Sequence, residues 1–184
     1  MTNDGKRVRI RRTKATITEN IRKAAVESVL KRGFSGSLVS EIIKKAKIEP
    51  VVFYNRYQNL EEFFSEFVKG YDYWFSDVAK EANKLETPHD QFIALIEGLQ
   101  ECMIEKSVML ELIRWEIAVD NDITKRTASI REMFTLPLAE KYDDLFKNSG
   151  IDFVAIATII VSGLYYLYLH KDRSTFCNLS LIHI

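Results

Sequence analysis

Tight turns consume glycine and proline, and this chain has very few of either: seven glycines and three prolines in 184 residues. Folds that reverse direction every few residues, such as β-sandwiches and barrels, are starved of turn residues at that level, whereas helices joined by short loops are not. Apolar residues make up 47% of the chain, enough at this length to build a packed core without covalent staples. The expected fold is therefore all-α. Two cysteines, Cys102 and Cys177, are too few for a disulfide framework or a four-thiolate metal site. They read as small buried apolar residues of a reduced, cytoplasmic protein.

The charges balance overall, 26 Lys and Arg against 26 Asp and Glu, but they are divided unevenly. Residues 1–60 hold fourteen basic and five acidic side chains, and the remainder holds twelve and twenty-one. The amino-terminal third is composed to meet a polyanion, and the rest is not. A charged helical surface with no partner would give the same counts. Residues 6–14 carry six cations and no acid, a density that keeps a free segment extended, so residues 1–15 are expected to form a disordered basic arm. No apolar run follows that stretch, so it does not read as a secretory signal.

Helical periodicity begins directly behind the arm. Thr16 and Glu19 have capping-box spacing, and Ile17, Ile21, Ala24, Ala25, Val29 and Leu30 recur at helical intervals as far as Gly33, which is expected to end the helix. Ser37 is expected to cap a second helix whose Leu38, Val39, Ile42, Ile43 and Ala46 form one apolar stripe. Lys47, Ile48 and Glu49 then turn the chain into a third helix at Pro50, a residue suited to the first helical position. Three short helices with a tight second turn make a helix-turn-helix pattern over residues 16–60.

Asn59 and Glu62 open a fourth helix, expected to run unbroken to about Lys84, and the pattern stays helical through residues 61–178. Thr87 and Pro88 start one helix, with Phe92, Leu95, Ile96, Leu99 and Met103 on one side. Ser107 starts another, and Ile123 to Lys147 a third that Pro137 should kink or divide. Ile151 to Leu169 is almost wholly apolar and long enough to cross a membrane. Asp152, Thr158 and Ser162 argue instead for no membrane and a helix buried on all sides, partly by a second subunit.

Ile21, Ala24 and Ala25, Gly33 and Phe34, Leu38 and Val39, Ile42, Ala46, Ile48, Phe53 and Tyr54, Tyr57, Asn59, Glu61 and Glu62 occur in a recognisable order and spacing. This stretch resembles the amino-terminal domain of TetR-family (tetracycline-repressor-type) transcriptional regulators. The resemblance implies that the third helix enters the major groove, with Pro50, Val51, Val52 and Asn55 against the bases and Ser37 and Tyr54 on phosphates. The chain departs from the family's pattern at three points. Lys47 stands where the turn usually has glycine, Val51 and Val52 where small or hydroxyl residues are usual, and Leu60 where a lysine commonly starts the fourth helix. The two valines reach only thymine methyl groups, which leaves hydrogen-bonded readout to Asn55, Arg56 or water. Lys44, Lys45, Lys47, Arg56 and the arm residues Arg7, Arg9, Arg11 and Arg12 are left to supply contacts to the double-stranded DNA.

The same resemblance implies a homodimer that pairs its last two helices in a four-helix bundle, the first of them being Ile151 to His170. Residues 179–184 fit neither helical periodicity nor a cap and read as the translation of a transposase adapter end. The natural reading frame is therefore expected to be cut near Asn178, with the last helix missing. Cys102, Met103, Met109, Arg114, Trp115, Glu116 and Tyr142 are candidates to line a pocket for a small-molecule effector, although each taken separately reads more readily as plain core or surface. His89, His170 and His183 are too scattered for a metal site. No nucleophile has an orienting base, so neither cofactor nor enzymatic activity is expected. The function implied is a ligand-responsive repressor, bound as a homodimer to a palindromic operator and released by its effector. The competing reading is a helical, dimeric protein-interaction adaptor with a degenerate helix-turn-helix.

Overall fold

The computed structural model describes residues 13–72 and 74–177. The basic arm up to Arg12, including Arg7, Arg9 and Arg11, and residues 179–184 lie outside the described residues. Among the described residues all regular structure is helical. The chain divides into two compact units, with the boundary between Phe63 and Phe64.

The first unit holds α1 (Lys14–Gly36), α2 (Val39–Ala46), α3 (Pro50–Tyr54) and the start of α4 (Leu60–Val68). The cap of α1 lies one turn earlier than the Thr16 pattern indicates: Thr13 Oγ1 accepts from the Thr16 amide at 3.1 Å. Gly33 breaks α1 without ending it. Its φ of 70° and ψ of 174° interrupt the helix before one further turn to Gly36, a conformation open to glycine because it has no Cβ. Ser37 does not cap α2. Its side chain is buried and its hydroxyl donates to the Gly33 carbonyl at 2.9 Å, so Leu38 occupies the cap position with no side-chain bond to offer. The kink frees the half-buried Gly33 carbonyl from the helix, and the Ser37 hydroxyl supplies its donor. Leu38 is also 50% exposed, outside the apolar stripe expected of it. Ile21, Ala25, Val29, Ile42 and Phe53 are fully buried and form the core of this unit. Exposed ion pairs from Arg32 to Glu41 (2.6 Å) and from Lys45 to Glu27 (3.2 Å) join α1 to α2, each worth under about 1 kcal/mol.

In the second unit the fourth helix does not run to Lys84. It stops at Val68, tightens into a 3₁₀ turn over Lys69–Tyr71, and α5 begins only at Ser76, ending at Ala82. Gly70 is a poor helix former, and two of the groups in the broken segment meet partners from later in this unit. The Trp74 carbonyl accepts from Lys106 Nζ at 2.9 Å, and the Asp72 carboxylate, 5% exposed, pairs with Arg126. α6 (Pro88–Glu105) is capped by Thr87, whose hydroxyl accepts from the Asp90 amide at 3.1 Å. It lies so close to α5 that a Cβ on Gly98 would sit 2.3 Å from Val78 Cγ1.

α7 (Ser107–Ala118) and α8 (Asp122–Phe146) follow, the latter opened by an Asn121–Thr124 capping box. Pro137 does not divide α8, which is continuous for 25 residues. Pro137 and Met133, whose carbonyl loses its helical donor, are both exposed, and solvent can serve that carbonyl. Glu116 on α7, its side chain 6% exposed, accepts from Arg131 and from Thr127 Oγ1 on α8, the latter at 2.7 Å. α9 (Phe153–His170) is capped by Asp152, which accepts from the Ala155 amide at 2.9 Å. Within one chain α9 is not buried on all sides. Phe153, Leu164 and Tyr168 point inward, while Val154, Ile156, Ile159 and Tyr166 are exposed, and 17% of the helix is buried. Among the described residues it is the one helix long and apolar enough to cross a membrane.

Candidate functional site

The link between α2 and α3 determines which side chains of α3 face outward. Lys47 adopts the left-handed conformation, φ 53° and ψ 49°, and is the only non-glycine residue with positive φ among the described residues. Its amide donates to the Lys44 carbonyl at 3.2 Å, and the Ile48 amide reaches back to Ile43 at 3.3 Å. This is the two-bond Schellman closure of a helix, made here without the glycine that usually occupies the left-handed position. Glu49 then leads into Pro50, whose missing amide is not needed at the first position of α3.

α3 is short and two-faced. Phe53 is fully buried and packs against Tyr57 (5.4 Å between ring centroids) and Phe63 (5.7 Å), so Tyr57 belongs to the packing beneath the helix. Pro50, Val51, Tyr54 and Asn55, at helical spacing on the opposite side, are exposed, and Val52 is half-buried. The Tyr54 ring sits edge-on to Phe53 at 5.6 Å while 52% of the residue faces solvent. That fixes the ring and leaves the phenol outside. Lys44, Lys45 and Lys47 are exposed at the end of α2 and in the turn.

Two sequence-predicted contacts are positioned differently. Ser37 lies under the surface, with its hydroxyl directed to Gly33. Arg56 is folded back on its own helix, where Nη1 donates to the Val52 carbonyl at 2.7 Å. In that conformation it closes the end of α3 and does not project from it.

The effector candidates do not converge. Cys102, Met103, Met109 and Trp115 are core residues, and burial pushes the Cys102 thiol above its ordinary range. Tyr142 belongs to an aromatic cluster with Phe92 and Phe153, where burial likewise raises its phenol. Glu116 is engaged with Arg131 and Thr127. Arg114 alone of the seven lines either of the two described cavities. It borders a space of about 430 Å³ together with Tyr166, His170 and Arg173, and its Nη2 donates to the Leu169 carbonyl at 3.2 Å.

A second cavity of about 80 Å³ is lined by Asp72, Trp74, Phe134, Arg131 and Tyr165, among others. Sequence periodicity did not single these residues out, because they come from the helix break and from two distant helices. The one available signal was Gly70, a weak point in an otherwise strong helical pattern. Among the described residues no group of acidic, histidine or cysteine side chains is arranged to hold a metal ion. No protein-family model and no curated protein matches the chain.

Proposed function

We propose that this chain is a DNA-binding transcriptional regulator of the helix-turn-helix, TetR-like kind. In this reading the first unit is the DNA reader and the second an effector-binding and dimerisation unit. The observation that carries the reading is the Lys47 turn. It sets α3 off the end of α2 with Phe53 inward and Pro50, Val51, Tyr54 and Asn55 outward, in a unit with a large surplus of basic residues. An exposed helix of that composition suits the major groove: Val51 meets thymine methyl groups, Asn55 hydrogen-bonds a base edge, and Tyr54 and the lysines fix the register on phosphates. Ser37 and Arg56 act in this proposal as positioning residues, one closing the kink of α1 and the other the end of α3. A second copy of the chain is the partner proposed for the exposed apolar side of α9, and a ligand in the second unit favours a dimer with altered spacing between its readers.

The test is a salt series of the full chain on random-sequence duplex DNA, followed by selection of bound sequences. Affinity falls steeply with salt if phosphates are contacted. Tyr54→Phe removes only the phenolic oxygen and keeps the ring on Phe53. It is expected to weaken binding by about 1.5 kcal/mol, roughly tenfold, with an unchanged melting temperature. Indifference to DNA at low salt would overturn the reading and favour the adaptor, for which the two valines and Leu60 speak.

A further inference from the structure

Tyr165, Leu169 and Arg173 follow one another at intervals of four, with Tyr166 and His170 beside them, so all five lie on one side of α9 and the turn behind it. They form a wall of the 430 Å³ cleft, whose opposite wall comes from the end of α7. Three of the five are rings. Tyr166 and His170 stack on each other, with 4.5 Å between centroids and 27° between planes, which gives the wall a fixed aromatic surface. The cleft, at about 430 Å³, is well above the roughly 150 Å³ that holds benzene in an engineered apolar cavity. An aromatic ligand fits it with no side chain displaced.

The charges decide what the ring must carry. Two arginines and a histidine line the cleft, and no acidic side chain does. Arg114 is partly engaged: Nη1 donates to Glu111, which is not in the lining, and Nη2 donates to the Leu169 carbonyl at 3.2 Å. Those two bonds leave three of the five guanidinium N–H donors. Arg173 is exposed and has no ion-pair partner among the described residues. With Arg114 balanced by Glu111, one uncompensated positive charge borders the cleft. It disfavours a cation and matches a single negative charge. A second negative charge would meet only the negative end of α9. A carboxylate supplies that one charge on two coplanar oxygens, the shape an arginine fork accepts.

We propose that this cleft binds an aromatic carboxylate, its ring against Tyr165, Tyr166 and His170 and its charged end on Arg173 and the remaining N–H groups of Arg114. Tyr166 also belongs to the exposed side of α9 that is proposed above to meet a second copy, so a ligand here lies beside that interface. The site thus names the ligand class for the effector-binding role, and it rests on that reading only for the effect of occupancy on DNA.

The experiment titrates the full chain by calorimetry, without DNA and in low-salt buffer, with three probes that share one ring system: indole-3-acetate, its neutral amide indole-3-acetamide, and the cation tryptamine. Indole-3-acetate is expected to bind, the amide about tenfold more weakly, and tryptamine not measurably. Arg173→Gln is expected to weaken indole-3-acetate about tenfold, with the amide and the melting temperature unchanged. Ala118 is exposed on the α7 wall, and Ala118→Phe is expected to fill the cleft and abolish binding of the acid and the amide in a folded chain. Equal affinity for acid and amide, preference for tryptamine, full affinity for the acid in Arg173→Gln, or retained binding in Ala118→Phe would overturn the proposal. So would the absence of any binding at millimolar indole-3-acetate. Indole-3-acetate binding by a chain indifferent to DNA leaves this site standing and removes the regulatory reading. DNA binding by a chain indifferent to every probe does the reverse.

Discussion

Replacing Lys47 by glycine and by alanine isolates the backbone of the turn from the charge it carries. Lys47 holds φ 53° and ψ 49°, a region that costs an ordinary L-residue about 1–2 kcal/mol because its Cβ crowds the following carbonyl oxygen. Glycine escapes that cost but gives up about 0.5–1 kcal/mol more backbone entropy on folding. The difference leaves Lys47→Gly more stable than Lys47→Ala by about 0.5–1 kcal/mol. In a helix interior the same comparison has the opposite sign, with glycine worse than alanine by a similar amount. The sign alone therefore reports whether position 47 is left-handed in solution. Urea denaturation followed by far-ultraviolet circular dichroism measures it, provided the slope with denaturant is unchanged among the variants. Both variants lose the same cation and are expected to lose DNA affinity and salt dependence together, by a slope of about 0.9 per phosphate contact removed. A Lys47→Gly chain no more stable than Lys47→Ala would refute the argument from the turn, whatever the DNA measurements gave.

Gly98→Ala places a methyl group 2.3 Å from the stiff, branched Val78 side chain. It is expected to cost about 1–3 kcal/mol by overpacking, with Gly98→Ala/Val78→Ala recovering part of the loss in the same denaturation assay. The Tyr142 hydroxyl is buried without a hydrogen-bond partner, so Tyr142→Phe is expected to stabilise the chain by about 1 kcal/mol at neutral pH. Burial also raises the Tyr142 and Tyr165 phenols above their ordinary value. Their contribution is therefore complete below about pH 10 and lost as pH rises through the raised values. Denaturation between pH 8 and pH 11 should show that fall, and each Tyr→Phe substitution should lessen it. Ile159 is 72% exposed on α9, and Ile159→Asp is expected to convert a dimer to a monomer in sedimentation equilibrium. A wild-type chain that is already monomeric at micromolar concentration would contradict the proposed interface.

The elements themselves were largely legible in the sequence, because helical periodicity and capping are local properties. The starts of α6 at Thr87 and Pro88, of α7 at Ser107 and of α9 at Asp152 could be read from a few adjacent residues. A turn over Lys47, Ile48 and Glu49 was legible between two apolar stripes, but that Lys47 itself takes the left-handed conformation came from the structure. Ser37 and Arg56 are engaged for one shared reason: each donates to a backbone carbonyl four residues earlier that the end of a helical segment leaves open. Ser37 looks like a cap until the kink at Gly33 offers its hydroxyl a carbonyl. Arg56 looks like a free cation until the end of α3 needs a donor.

By itself, then, the sequence determined the helical class, the amphipathic stripes and the amino-terminal concentration of positive charge, all of which depend on neighbours within a turn or two. Only the tertiary structure decided that the fourth helix breaks after Val68, because the groups that receive the broken segment, Lys106 and Arg126, lie more than thirty residues further along the chain. That break carries Asp72 and Trp74 to the wall of a cavity completed by α6, α8 and α9. Burial, pairing and an unfilled hydrogen bond are properties of such long-range meetings, and no local pattern encodes them.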